Sequence, residues 1–191
     1  MSIEQPTTYQ LLNRLKTVAG HLRGVQRMVE TQAYCIDIIK QTQAVQRALD
    51  KVSSLLLEAH LNGEVTGVLR TADQDERARI VNQLLAVFHL AAGSAPSAPS
   101  LTDVNDRTAW LQQLEEQVRA LQDLLETDSA PVQTIAGVQQ VQRMLNAFQG
   151  RVLADHLNGC VTTAIRSDQP AERERVVREL LQVFTASTTL G

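Results

Sequence analysis

Residues 35–60 read CIDIIKQTQAVQRALDKVSSLLLEAH, and the spacing of apolar residues in this segment indicates the fold class. Apolar or small residues recur in it at alternating steps of three and four, the spacing of an a/d seam held for about four heptads. The series consists of Cys35, Ile38, Thr42, Val45, Leu49, Val52, Leu56 and Ala59. A helix with such a seam must pack against other long helices, so the sequence predicts an all-α fold.

Two further helices are predicted on either side of this segment. The first covers about residues 9–31, and its apolar positions recur every three or four residues at Leu11, Leu15, Val18, Leu22, Val25 and Val29. The third covers about residues 75–89, with Ile80, Leu84, Leu85 and Phe88 on one face. Asn62-Gly63 predicts the end of the long helix, because this pair suits the left-handed residue after a helix C-terminus. The predicted unit is a long helical hairpin followed by a short third helix.

The chain contains this unit twice. Shifting the sequence by 96 residues aligns residues 12–88 with residues 108–184 without a gap. The match is clearest where HLNG at residues 60–63 recurs at residues 156–159, and seven of the eleven pairs from position 60 to 70 are identical. Such self-similarity at a fixed period indicates a tandem duplication.

The duplication sets the predicted domain boundaries. Unit one covers residues 1–90, a Pro/Ala/Ser linker covers residues 91–102, and unit two covers residues 103–191. One hairpin cannot bury a long apolar seam alone. We therefore expect the two units to pair as an antiparallel four-helix bundle, a pseudo-dimer within one chain.

The bulk composition excludes several classes of protein. With a net charge of −3 and a pI near 5.8, the chain is no generic polycation, so any contact with DNA must be local. The sequence has no long apolar run and its first residues are polar, which predicts a cytoplasmic protein that does not bind membranes. In a reducing compartment, the two cysteines are expected to be thiols or metal ligands. No oxyanion donor or orienting third group accompanies them, so we expect no enzyme.

The cysteines and two histidines indicate a soft-metal site. Cys35 and His60 are 25 residues apart on one helix, or ~38 Å at its usual rise, and cannot share a ligand. His156 and Cys160 are four residues apart, so their side chains can lie on one face. If the two long helices pack antiparallel, Cys35 comes to lie beside His156 and Cys160. The sequence thus predicts a triad of two thiolates and one imidazole between the units.

The alignment of the two repeats predicts a complete set of ligands at only one end of the bundle. Cys35 aligns with Pro131 and Cys160 aligns with Glu64, so the other end of the bundle collects only the degenerate set His60, Glu64 and Pro131. Two sulfurs and one imidazole select Cu(I) over hard ions, and three ligands suit its low coordination number. Zn(II) prefers a fourth ligand, which the sequence does not clearly supply. We expect one Cu(I) per chain.

Unit one contains several short motifs: RLK at residues 14–16, GHLRGV at 20–25, RMVE at 27–30, YCID at 34–37 and LEAHL at 57–61. In this order and spacing they resemble the CsoR/RcnR/FrmR family, and in particular its copper-sensing CsoR repressors. The resemblance covers nearly all of unit one and, more loosely, unit two. The chain is therefore similar to a tandem duplication of the family unit.

The resemblance implies a repressor that releases its operator DNA when Cu(I) binds. It also implies a disc-like tetramer of hairpins, which two copies of this chain would complete as a homodimer. In the family, one protomer supplies a cysteine and the next a His-x-x-x-Cys pair. These fall on Cys35 and on His156 with Cys160, while Glu64 and Pro131 depart from the pattern.

A set of basic residues in unit one is the predicted DNA-binding surface. It consists of Arg14, Lys16, Arg23, Arg27, Arg47 and Lys51. On its own, such a set is typical of a solvated helical face, but the resemblance favours contact with phosphates. The net charge is +1 for residues 1–90, with ten Lys and Arg against nine Asp and Glu, and −4 for the rest, with eight against twelve. We therefore expect unit one to carry most of the DNA contact.

Other functions remain open at this point. Two thiols could sense persulfides by becoming linked, although His156 as a third ligand favours a metal. A formaldehyde sensor is less favoured, because the resembling proteins use an N-terminal proline and this chain has Ser2 there. The acidic unit two also allows a copper-binding protein that has lost DNA binding.

Overall fold

The computed structural model describes residues 5–71, 73–91, 101, 103–127 and 131–188. Unit one contains the helices α1 (Gln5–Glu30), α2 (Cys35–His60), α3 (Thr66–Thr71) and α4 (Gln74–Ala91). Unit two contains α5 (Val104–Glu126), α6 (Pro131–His156), α7 (Thr162–Arg166) and α8 (Pro170–Thr188). No strand occurs in these residues, and the predicted all-α class is confirmed.

The four long helices form the core of the molecule. Within each unit the hairpin helices pack together, and between units α1 packs on α5 and α2 on α6. Helices α2 and α6 run antiparallel, because Cys35 at the start of α2 contacts His156 at the end of α6. Midway along the pair, Gln142 donates to Asp50 at 2.6 Å. The buried seam of α2 contains Ile38, Thr42, Val45, Leu49, Val52 and Leu56.

The last helix of each unit, α4 or α8, packs against the other unit. Helix α4 contacts α6 and helix α8 contacts α2. Gln43 on α2 donates its side-chain amide to the carbonyl of Val183, and Gln139 on α6 donates to the carbonyl of Val87, both at 3.2 Å. Each glutamine and each valine lies 96 residues from its counterpart, so a local twofold relates the two units.

The predicted end of the long helix at Asn62-Gly63 was wrong. The chain continues through a π-helical turn, Leu61–Val65, into α3, and no described glycine has a positive φ. The second copy repeats this turn at Leu157–Val161. In both, a threonine hydroxyl donates to the carbonyl five residues earlier: Thr66 to Leu61 at 2.7 Å, and Thr162 to Leu157 at 2.8 Å. Each of these carbonyls also accepts from the backbone amide of the same threonine, which is the i→i−5 pattern of a π-helical turn.

Two other helix boundaries show ordinary capping. Between α1 and α2, Gln32 adopts a left-handed conformation with φ 52°, and the amide of Ala33 donates back to the carbonyl of Met28 at 2.8 Å. Helix α5 begins after Asp103, whose carboxylate accepts from the amide of Asp106 at 2.8 Å. The predicted third helix is slightly longer than expected, beginning at Gln74 and ending at Ala91.

The predicted linker lies largely outside the described residues, which omit 92–100 and 102. Its Leu101 is described and belongs to the core, with 1% of its surface exposed. Arg107 holds this residue by donating to its carbonyl at 3.2 Å. In the described part of the chain, no helix is both long and apolar enough to cross a membrane.

Candidate metal centre

Two cysteines and one histidine meet at one end of the bundle. Cys35 is the first residue of α2, His156 is the last residue of α6, and Cys160 lies in the π-helical turn that follows. Their potential ligand atoms all lie within 4.8 Å of one another, and Cys35 Sγ lies 2.8 Å from His156 Nδ1. In the described part of the chain, no other three Cys, His, Asp or Glu side chains converge in this way.

The three ligands differ in exposure. His156 is buried, Cys35 is half-buried and Cys160 is exposed. Burial lowers the pKa of His156, whereas burial and the neighbouring Cys160 raise the pKa of Cys35. A neutral imidazole beside a protonated thiol assigns the Cys35 S–H as donor and His156 Nδ1 as acceptor. The metal-free site is therefore uncharged at these two residues at neutral pH.

A network from α8 and the start of α2 surrounds the far side of the imidazole. Glu179 Oε2 lies 3.9 Å from His156 Nε2 and accepts from the Tyr34 hydroxyl at 2.7 Å. Arg175 donates to Glu179 at 2.8 Å and to the Tyr34 oxygen at 2.7 Å. Burial and the bond to Glu179 raise the pKa of Tyr34 to about 12, so the phenol keeps its proton. The carboxylate favours a proton on Nε2, which leaves Nδ1 to face the sulfurs.

Sequence reasoning missed Glu179 and Arg175. Tyr34 adjoins Cys35 in the chain, and Arg175 recurs as Arg79 in the repeat, but neither signal brings α8 to the start of α2. Helix α8 meets the start of α2 only because α4 and α8 each pack against the opposite unit. The structure also places the Tyr34 ring edge-on to His156, with ring centres 6.0 Å apart.

An inner cavity of about 300 Å³ adjoins the triad. Its walls include the apolar side chains of Val29, Ala33, Ile38 and Val152. Arg107 and Asp155 form an ion pair at its rim, and Arg151 adds a second contact to Asp155 at 3.2 Å. The cysteine and histidine side chains thus face a small, largely apolar space, which favours uncharged or soft ligands over hydrated ions.

The opposite end of the bundle carries the degenerate set. His60 is 2% exposed and neither ring nitrogen has a hydrogen-bond partner. Glu64 Oε2 lies 3.7 Å from His60 Nδ1, and Arg79 contacts the other carboxylate oxygen at 3.4 Å. Pro131 is the first residue of α6, where its missing N–H removes no helical hydrogen bond. Burial lowers the pKa of His60, so this end holds a neutral imidazole and no sulfur.

All six predicted DNA-binding residues are exposed on α1 and α2. Lys16, Arg23 and Arg27 lie on one face of α1, whereas Arg14 lies nine residues from Arg23 and thus points the other way. The structure therefore separates Arg14 from the other basic residues of its helix.

Glu115 was not predicted, and it binds one of these arginines. Its buried carboxylate accepts from Arg23 and from Arg119, both at 2.7 Å. Burial would raise the pKa of Glu115, but the two arginines outweigh it and hold the pKa below its usual value. The position aligns with Ala19 in unit one, so this charge is peculiar to unit two. Part of the positive charge of Arg23 is neutralised in consequence.

Comparisons with known proteins agree with this architecture. A family model described as a metal-sensitive transcriptional repressor matches residues 7–89 and again residues 105–186. The copper-sensing transcriptional repressor CsoR of Bacillus subtilis is 40% identical over 79 residues, which span 41% of this chain and 75% of that protein. CsoR of Mycobacterium bovis BCG is 54% identical over 50 residues, covering 26% of this chain and 42% of that protein.

A second mycobacterial relative is the copper-sensing transcriptional repressor RicR of Mycobacterium tuberculosis, 47% identical over 53 residues. That match covers 28% of this chain and 55% of RicR. The chain thus spans about half the length of these mycobacterial relatives. No solved structure matches the chain significantly.

Proposed function

Because the chain belongs to the metal-sensitive transcriptional repressor family, whose members are regulators rather than enzymes, we propose that it represses transcription in response to Cu(I). The metal-free protein binds operator DNA, and it releases that DNA when Cys35, His156 and Cys160 hold one Cu(I). The observation that supports this proposal is the convergence of the three side chains within 4.8 Å.

The donor set favours Cu(I) over other ions. Thiolates are soft ligands, and Cu(I) prefers few of them, whereas structural Zn(II) is usually held by four. No fourth Cys, His, Asp or Glu joins the cluster within the described residues. When bound, the ion would join two thiolates and one imidazole into a single charged centre. Cys35 must lose its proton for this, and His156 offers Nδ1 without losing one.

The placement of the ligands also suits control of DNA binding. Cys35 begins α2, and the same helix carries Arg47 and Lys51. The other two ligands belong to unit two, so metal binding fastens α2 to the end of α6. A rigid helix that carries both a ligand and phosphate-binding residues transmits a change at the site to the DNA surface.

The test is an anaerobic Cu(I) titration combined with operator binding measured by fluorescence anisotropy. We expect one tight equivalent per chain and loss of operator binding at that equivalent. Cys35→Ala and Cys160→Ala should each abolish tight binding, whereas the matched change His60→Ala at the degenerate end should leave it intact. Two equivalents of similar affinity would contradict the proposal.

Sensing of reactive sulfur species by the same cysteines is the second candidate function. The two sulfurs lie within 4.8 Å and Cys160 is exposed. A polysulfide could transfer one sulfur to Cys160 and leave one sulfur shorter; the Cys35 thiolate could then attack the inner sulfur of this persulfide, forming a Cys35–Cys160 disulfide and releasing hydrosulfide. Treatment with an inorganic polysulfide, followed by intact-mass spectrometry and the same anisotropy assay, distinguishes the two functions. Release of DNA by polysulfide but not by Cu(I) would favour this alternative.

A further inference from the structure

Cys160 stands between two cavities. On one side is the inner cavity, which Cys35 and His156 also line. On the other side is an outer cavity of about 410 Å³, lined by Cys160 and by the polar side chains of Thr163, Ser167, Gln169, Glu172 and Arg175. Neither Cys35 nor His156 lines the outer cavity, so a molecule bound there meets Cys160 first.

We propose that the outer cavity is the entrance to the metal centre, where a small thiol complex of Cu(I) docks and passes its ion to Cys160. This inference rests on the proposed function, because it concerns how the same site is loaded. A cavity of this size falls within the roughly 300–1,000 Å³ typical of small-molecule sites. Its hydroxyl, amide and charged groups suit a peptide-like thiol better than an apolar one.

The wall of the outer cavity is held in a fixed position. Arg175 bonds to Glu172 at 2.9 Å as well as to Glu179 and Tyr34. Through these bonds the same arginine that lines the outer cavity is connected to the residues around His156. The entrance and the centre are thus parts of one network, with Cys160 at their junction.

The transfer is a ligand exchange without oxidation or reduction. Cys160 Sγ loses its proton and forms a bond to the copper of the donor complex, and one copper–sulfur bond of the donor breaks. The donor thiolate takes up a proton and leaves through the outer cavity. Cys35, after losing its own proton, and His156 then replace the second donor thiolate from the inner side, and that thiolate takes up a proton and leaves as the free thiol.

The experiment fills the outer cavity without changing any ligand. Thr163 is exposed on α7, and Thr163→Trp would occupy the space before Cys160. The matched control is Gly67→Trp, the equivalent position of unit one, where an added Cβ meets nothing within 4 Å. Stopped-flow mixing with the Cu(I)–glutathione complex measures loading, and competition with bicinchoninate measures the equilibrium affinity.

We expect Thr163→Trp to slow loading by at least about tenfold with unchanged affinity, because a blocked path slows binding and release alike. Gln169→Trp, on another wall of the cavity, should slow loading in the same way, and Gly67→Trp should not. Unchanged loading in both cavity variants would overturn the inference, and so would a loss of affinity that fully accounts for slower loading. If the unsubstituted protein bound no Cu(I) at equilibrium, the proposed function itself would fail.

Discussion

At the residue scale, burial raises the pKa of Cys35 and lowers the pKa of His156. The thiol is held in its protonated form and the imidazole in its neutral form, since low polarity disfavours the charged state of each. On the far side of the ring, Glu179 lies 3.9 Å from Nε2 without forming a hydrogen bond, and the Tyr34 ring packs edge-on to the imidazole. In the metal-free protein, Cys35 and His156 are therefore both uncharged, and the binding of a metal ion must release the thiol proton.

Proton release predicts how the affinity for Cu(I) depends on pH. The pKa of Cys35 is raised, so the thiol is protonated throughout the neutral range and binding must displace its proton. The affinity should rise about tenfold per pH unit for each proton released. The lowered pKa of His156 means that protonation of the ring does not compete until the solution is distinctly acidic.

This dependence can be measured by competition with bicinchoninate at several pH values, corrected for the chelator's own protonation. An affinity that rises by no more than about tenfold per pH unit from roughly pH 6.5 to 8.5, the share of one cysteine, would show that Cys35 already exists as a thiolate in the free protein. It would contradict the assignment of the Cys35 S–H as the donor to His156.

At the scale of helices, α5 approaches α6 closely at Gly137. A Cβ added there would clash with the Leu121 side chain, which is buried on α5 and cannot move away without disturbing the core. Gly150 lies on the same helix, α6, but a Cβ there would meet nothing within 4 Å. Packing against α5 therefore disfavours a side chain at Gly137, whereas the surroundings of Gly150 leave room for one.

These glycines give a paired prediction about stability. Gly137→Ala should destabilise the protein by up to about 2 kcal/mol, because overpacking costs about 1–3 kcal/mol and the helical preference of alanine offsets about 0.5–1 kcal/mol of it. Gly150→Ala should stabilise it by about 0.5–1 kcal/mol, because alanine loses less backbone entropy in a helix. Urea denaturation followed by circular dichroism measures both. The same sign for the two changes would contradict the close approach of α5 and α6.

The sequence could predict the helices and the contact of Cys35 with His156, because two features of the repeat leave few alternatives. Helical rise separates Cys35 from His60, and the 96-residue register leaves the only His-x-x-x-Cys pair in the other copy. The helix end predicted from Asn62-Gly63 was wrong, because the chain forms a π-helical turn there and continues into α3 despite the local turn preference of this pair. Glu179 could not be assigned, since its position depends on the packing of α8 across the unit boundary.

At the scale of the whole molecule, the two units share a fold but differ in charge. Glu115 illustrates the difference, because it neutralises Arg23 of unit one and Arg119 of unit two at the contact of α1 with α5. The side chains of these arginines are 53% and 63% exposed, so both could reach a phosphate once released. We therefore predict that this one acidic residue limits the affinity of the chain for DNA.

Glu115→Ala, which restores the residue found in unit one, should strengthen operator binding. Releasing two arginines should steepen the dependence of log affinity on log salt concentration by up to about 1.8, or 0.9 for each phosphate contact. Glu116→Ala is the matched control, since Glu116 is exposed and forms no ion pair within the described residues. Equal effects of the two changes, measured by anisotropy over a salt series, would mean that only net charge matters.

At the proposed metal centre, the duplication would make the bound ion a link between the two halves of one chain. One ligand comes from unit one and two come from unit two, so binding should stabilise both units together. At a free Cu(I) concentration a hundredfold above the dissociation constant, the stabilisation is about 2.7 kcal/mol, which raises the Tm by several degrees. Anaerobic calorimetry should show a single transition that moves as a whole, and Cys35→Ala should remove the shift. Two separate transitions of which Cu(I) moves only one would mean that the ligands do not join the units, and Cys35 would then have no part in holding the ion.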